Sequence, residues 1–257
     1  MLLVLSPAKS LDFTLAPDLP LTKPRLLKHT RELAAFARGL TPADLRALMH
    51  ISEPLAALNH ARFQRFDPRG AVGVQAALAF AGDVYRGLDA RTLDAEALGW
   101  AQDHLRILSG LYGVLRPLDR IRPYRLEMGI ALKTERGATL YDFWGDRLAK
   151  QLNADAKGHA DRTLINLASQ EYFGGVDTRA LKLPLVNVHF KEERDGQTRI
   201  LAFYAKRARG LMARYAIDHR MDEPEGLKGF DTAGYRFDVE ASTDRDWTFV
   251  RRQPEAG

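Results

Sequence analysis

Cysteine is absent from the 257 residues, so neither a disulfide framework nor a thiolate metal site can hold this chain together. A chain of this length needs neither, because a folded domain of its size buries roughly 70–75% of its extended surface. A long apolar run is also missing. The opening MLLVLSPAKS is cut off by Pro7 and has no basic flank, which is too short for a secretory leader or a membrane span. The seven histidines are scattered, with no HxxxH spacing. A soluble, cytoplasmic protein without a metal or a cofactor is expected. No internal repeat, low-complexity tract or linker divides the chain, so residues 1–257 read as one domain.

What is present is mildly basic. Lys and Arg number 38 against 33 Asp and Glu, a net charge of +5 that favours anionic partners. The cations concentrate in two stretches, 116–125 and 206–214. Leu2–Leu5 and Thr163–Ala168 read as short buried strands. Helices are expected over residues 24–38, which stop at Gly39, over 42–50 behind a Thr41 cap, and over 53–66 behind Ser52. Others are expected over 75–81, from Asp94 through Leu108, and over 139–153. The segment Gly82–Gly87 reads as a loop. Leu183–Lys191 and Thr198–Phe203 read as a hairpin turned by Asp195-Gly196, and YRFDVE and WTFVRR as two closing strands. A mixed α/β (α+β) fold follows, with a central sheet and surrounding helices.

Leu105 to Met128 (LRILSGLYGVLRPLDRIRPYRLEM) is the most distinctive stretch. Gly110 and Gly113 interrupt what otherwise looks helical, and Pro117 and Pro123 forbid a long helix. Arg116, Arg120, Arg122 and Arg125 follow closely. A glycine turn beside clustered guanidinium groups suits phosphate, although a helix-breaking loop with a solvated basic face has the same spacing. The second basic stretch lies on an amphipathic helix, Tyr204–Arg220. Tyr204, Ala208, Leu211, Met212, Tyr215 and His219 make its expected inner face, with Lys206, Arg207, Arg209 and Arg214 on the other. Lys206 and Arg209, three apart, share a side.

Polar groups also follow both buried strands, where α/β folds place ligands. Lys9 lies just past the first strand. Asn166 lies in the second, and Ser169, Glu171 and Tyr172 follow it. Lys9, Asn166, Glu171 and Tyr172 are therefore candidate catalytic residues, expected in one pocket, with Glu127 a further acid or base.

Taken together, SPAKSLDF, FAGDVYRGL, LSGLYGVLRPLDRIRPYRLEMG, YDFWGD, INLASQEYF and FYAKRARGLMARY resemble the YaaA family of peroxide-stress proteins, in order and over nearly the whole chain. The resemblance implies a cytosolic mixed α/β protein with a positively charged cleft and a helix-hairpin-helix element, mapped here to Leu105–Ile121. It also implies binding to DNA, whether duplex, irregular or junction-like, and a link to limiting free iron. Repair or recombination proteins are conceivable partners; a membrane is not. The expected function is DNA binding in the oxidative-stress response. Gly110 and Gly113 would offer backbone donors, and Arg116, Arg122, Arg125, Lys206 and Arg209 would contact phosphate. The alternative is an enzyme acting on DNA or a nucleotide, glycosylase- or lyase-like, through Lys9.

Overall fold

Two short, largely apolar runs set the architecture. Leu2–Leu5 (LLVL) and Leu164–Leu167 (LINL) carry the composition of strands covered on both faces. In the computed structural model they lie side by side and parallel, in register from Leu2↔Leu164 to Leu5↔Leu167. Residues 1–16, 18–67, 70 and 72–253 are described. The strands in chain order are β1 (Leu2–Leu5), β2 (Ser10–Leu11), β3 (Val74–Gln75), β4 (Phe80–Ala81), β5 (Leu105–Ser109) and β6 (Gly113–Leu115), then β7 (Arg120–Ile121), β8 (Leu164–Leu167), β9 (Leu185–Arg194), β10 (Gln197–Arg199), β11 (Arg236–Asp238) and β12 (Asp246–Arg252).

Eight of them form one sheet in the order β11–β12–β9–β8–β1–β5–β6, with β10 paired to β9. The run β12–β9–β8–β1–β5 is parallel throughout. The outer strands β6 and β11 are antiparallel to their neighbours. Helices surround this sheet, so the fold is the mixed α/β class expected. β1 is wholly buried, as is β5. β9 instead alternates: Val186, Val188 and Phe190 are buried on one face, while Asn187 and His189 are half-buried on the other.

The connections place a crevice. From β1 the chain goes on to β5 at one side, and from β8 it goes on to β9 at the other. Adjacent parallel strands whose continuations diverge leave a crevice outside their carboxyl ends, the usual ligand position in open α/β sheets. The helix Ala202–Asp218 roofs it, held by a close helix crossing. A Cβ on Gly210 would lie 1.8 Å from the Val84 carbonyl oxygen, and one on Gly87 would lie 2.3 Å from that of Arg207. Here two helix backbones touch, and only glycine allows it.

Several expectations need correction. The segment mapped as a helix-hairpin-helix, Leu105–Ile121, is a β-hairpin: β5 turns into β6 with Ser109 opposite Gly113. The preceding helix ends at His104, because Leu105–Ser109 finds a parallel partner in β1. Its glycines serve packing: a Cβ on Gly110 would sit 2.3 Å from the Leu126 carbonyl oxygen, and Gly113 has φ +75°. Residues 139–153 form two helices, Leu140–Trp144 and Arg147–Asp155, because Gly145 takes φ +49° between them. The expected loop Gly82–Gly87 is the helix Asp83–Leu88, and the expected helix 75–81 shrinks to Ala76–Ala79. Asp195 and Gly196 do turn the β9–β10 hairpin, at φ 53° and 73°, but Ala202 already begins the next helix. The buried face of that helix is Ala205, Ala208, Gly210, Met212, Ala213, Ala216 and Ile217. Ala208 and Met212 face inward as expected, whereas Tyr204, Leu211 and Tyr215 are half-buried and His219 is exposed; small residues fill much of the inner face because the neighbouring backbone is so near at Gly210.

This crossing yields a stability test. Gly210→Ala should destabilise the fold by about 1–3 kcal/mol through overpacking. Gly99→Ala, in a helix where nothing lies within 4 Å of the new methyl, should stabilise it by about 0.5–1 kcal/mol. Urea unfolding of both variants checks this; equal midpoints would mean that the crossing tolerates a methyl.

Candidate functional site

The crevice at the ends of β1 and β8 opens into a cleft of about 980 Å³. Ser6 leaves β1 and Ser169 leaves β8, and the two turns are bonded to one another. Ser169 N donates to Ser6 Oγ at 2.8 Å, and the hydroxyls lie 3.2 Å apart. The Tyr85 hydroxyl donates to the Ser6 carbonyl at 3.0 Å, fixing the first turn to the helix Asp83–Leu88. Beyond Ser6, Ser10 and Leu11 pair with Ala81 and Phe80. Lys9 is thereby held at the cleft mouth.

A polar ladder crosses the floor. Asn166 stands opposite Asn187, which stands opposite Asp246. Asn166 Nδ2 donates to Asn187 Oδ1 at 3.0 Å, and Asn187 Nδ2 donates to Asp246 Oδ1 at 3.2 Å. His189 Nε2 meets the same carboxylate oxygen at 3.1 Å. From the roof, Lys206 and Arg209 line the cleft.

The charges of the cleft divide by partnership. Its acids are engaged: Asp246 as above, Asp83 with Arg86 at 3.4 Å, and Glu171 Oε1 with the Gly129 N–H at 3.2 Å. Its roof cations are not. Arg209 Nε is buried without a hydrogen-bond partner, and neither Arg209 nor Lys206 joins an ion pair among the described residues. Burial lowers the Arg209 pKa, with no carboxylate raising it. An unpartnered, partly desolvated guanidinium is a seat for an anion.

Lys9 Nζ lies 3.5 Å from Glu127 Oε1, which Arg125 also holds, from Nη2 at 2.9 Å and Nε at 3.0 Å. The second oxygen of Glu127 is buried and unpartnered. Tyr172 is nearly buried, and desolvation raises its pKa far above the ordinary phenol value. At neutral pH it is a hydroxyl, able to donate a hydrogen bond but not to accept a proton as a base.

The structure therefore brings Lys9, Asn166, Glu171 and Tyr172 into one cleft and adds Lys206 and Arg209. It does not bring the 105–125 residues there. Gly110 and Gly113 are buried. Arg116 is bonded to the buried Asp119 at 2.8 Å, and Arg122 Nη1 to the Asp67 carbonyl at 3.2 Å. Arg209, expected on the outer face of its helix, turns into the cleft instead. Asn187, His189 and Asp246 were not singled out from sequence. The polar residues alternating through LVNVHF were the one available signal for Asn187 and His189, and Asp246 had none.

The Arg125–Glu127 pair can be tested directly. Arg125→Met leaves a nearly buried carboxylate with only Lys9 beside it, and should cost about 2–3 kcal/mol. Adding Glu127→Gln should recover most of that loss in urea unfolding. No recovery would mean that Arg125 acts through its packing rather than its charge.

The family model described as "Peroxide stress protein YaaA" matches residues 1–241. A UPF0246 protein of Caulobacter sp. (strain K31) is 66% identical over 256 residues, covering 99% of this chain and 100% of its own. A UPF0246 protein of Phenylobacterium zucineum is 65% identical over 255 residues, 99% of this chain and 96% of its own. One from Maricaulis maris is 53% identical over 257 residues, all of this chain and 98% of its own. With a match of this length, and relatives this similar end to end, the chain belongs to the YaaA family of peroxide stress proteins.

Proposed function

We propose that the protein serves the peroxide-stress response in the cytoplasm by binding DNA, duplex or irregular, with little sequence preference. Its phosphate contacts come from the cations around the cleft: Lys9, Lys206 and Arg209. The observation that carries this function is the buried, unpartnered Nε of Arg209 beside an unpaired Lys206, in a cleft whose acids are all engaged. The arginines of 116–125 contribute less, since they stand outside the cleft lining. Any fall in free iron is then indirect, as the described residues hold no cluster of three or more histidine and carboxylate side chains placed for a metal ion.

Salt dependence separates the two sets of contacts. Each neutralised phosphate contributes about −0.9 to the slope of log affinity against log salt. The three cleft cations give a slope near −2.7, whereas Arg116, Arg122, Arg125, Lys206 and Arg209 together give roughly −4.5. In a folded Lys206→Ala/Arg209→Ala variant the slope should shrink by about 1.8. Salt-independent affinity, or no binding at low salt, would sink the proposal.

A second function, an abasic-site lyase, is favoured by the position of Lys9 in the cleft beside Glu127. The Lys9 amine would attack the aldehyde carbon of an opened abasic sugar, and the adduct would lose water to give an imine. Borohydride would reduce that imine to a stable amine, cross-linking protein to DNA. A cross-link that disappears in Lys9→Ala is the expected result; none with the wild-type protein removes the lyase and leaves binding intact.

A further inference from the structure

We infer that the roof of the cleft is a seat for a terminal phosphate, the monoester at the end of a nucleic acid strand or of a small phosphorylated molecule, held between Lys206 and Arg209. The inference rests on the same two cations as the DNA proposal but needs no duplex. Lys206 and Arg209 are three residues apart on the helix Ala202–Asp218, which sets their Cβ atoms about 5–6 Å apart on one side of it. Both line the cleft. Two long side chains rooted so close together can reach a single phosphate group.

Partnership decides how many charges an anion meets there. Three carboxylates line the cleft, and each has a partner already. Asp83 has Arg86, Asp246 has Asn187 and His189, and Glu171 has the Gly129 N–H. Of the lining cations, Lys9 is shared with Glu127 at 3.5 Å. Lys206 and Arg209 join no ion pair among the described residues, and Arg209 Nε is buried without a hydrogen-bond partner. Two free cations therefore stand at one wall.

A phosphate monoester matches them. It carries about −1.5 to −2 charges at neutral pH and three strong acceptor oxygens. A phosphodiester inside a strand carries one charge and leaves one of the two cations uncompensated. Arg209 sharpens the difference, because part of its guanidinium is already out of water and a buried charge without a partner is costly.

Shape points the same way. The roof helix meets the helix Asp83–Leu88 where Gly210 touches the Val84 carbonyl, and Tyr85 of that second helix is bonded to the Ser6 carbonyl at 3.0 Å. Roof and floor are thereby tied together. The cleft between them, about 980 Å³, has the size of a small-ligand pocket. A strand end fits such a volume; the body of a duplex does not.

Isothermal titration of the full chain with the dinucleotide TpT, its 5′-phosphorylated form pTpT, its 3′-phosphorylated form TpTp and ribose 5-phosphate tests the inference. TpT has only the internal diester. At least one phosphorylated dinucleotide should bind about tenfold or more tightly than TpT, the difference expected for one further charged hydrogen bond. Lys206→Ala and Arg209→Met should each remove that advantage. Arg207→Ala should leave it, since Arg207 is an exposed cation of the same helix outside the cleft lining. Melting curves confirm that each variant folds; if Arg209→Met does not, Lys206→Ala, at an exposed position, carries the test. TpT binding as tightly as both phosphorylated forms, an equal loss in Arg207→Ala and Lys206→Ala, or no heat with any ligand would each overturn the inference. Ribose 5-phosphate binding as tightly as the phosphorylated dinucleotides assigns the seat to small phosphomonoesters, and weaker binding assigns it to strand ends. Covalently closed circular duplex, which has no ends, separates this site from the DNA proposal. Closed duplex bound without pTpT or TpTp keeps DNA binding and removes the terminal-phosphate seat. Phosphorylated dinucleotide bound without closed duplex does the reverse.

Discussion

The backbone pairing of β1 with β8 is the contact on which the cleft depends. Each strand has four residues, and together they bring Ser6 and Ser169 within hydrogen-bonding distance across 163 positions of sequence. Hydrogen bonds alone would not hold so short a pair in water. Burial on both faces does, since an unpaired peptide group inside the core would cost more than the pairing gains. The groups on the floor and at the mouth of the cleft take their position from this pair. Lys9 follows one strand, Glu171 and Tyr172 follow the other, and Asn187 and Asp246 extend the same register outward.

Charge then sorts the surface made this way. The chain is basic, but its two cationic clusters have different fates. The first is absorbed by the fold, with Arg116 on Asp119 and Arg125 on Glu127. In the second, Arg214 pairs with Asp218 at 2.8 Å, whereas Lys206 and Arg209, on the side of the helix Ala202–Asp218 that lines the cleft, join no ion pair among the described residues. The lining of the cleft holds as many acids, Asp83, Glu171 and Asp246, as cations, Lys9, Lys206 and Arg209, and of the cations only the two on the roof lack a carboxylate partner among the described residues.

How much of this was legible in the sequence follows from how local each cause is. β1 and β8 could be read because burial on both faces leaves an apolar run. Lys9, Asn166, Glu171 and Tyr172 could be located because they sit in or just beyond those runs. β5 could not. No breaker separates His104 from Leu105, and Gly110 and Gly113 interrupt a helix in the sequence just as they permit a tight hairpin in space. The partners of Arg116 and Arg122 were hidden for a related reason. Clustering is a property of the chain, whereas Asp119 and the Asp67 carbonyl become partners only once the loops close. Asn187 and Asp246 escaped notice because they share hydrogen bonds across 59 positions, through a parallel pairing that leaves no local trace.

The contact between Gly210 and the Val84 carbonyl also bears on how the cleft would receive a ligand. Roof and wall meet there backbone to backbone, with no side chain between them to compress or swing aside. The spacing of Lys206 and Arg209 from the Ser6 turn is consequently set before any ligand arrives. Little backbone entropy remains to be lost on binding, so the ordering cost falls on the unpaired Lys206 and Arg209 side chains rather than on closure around the guest.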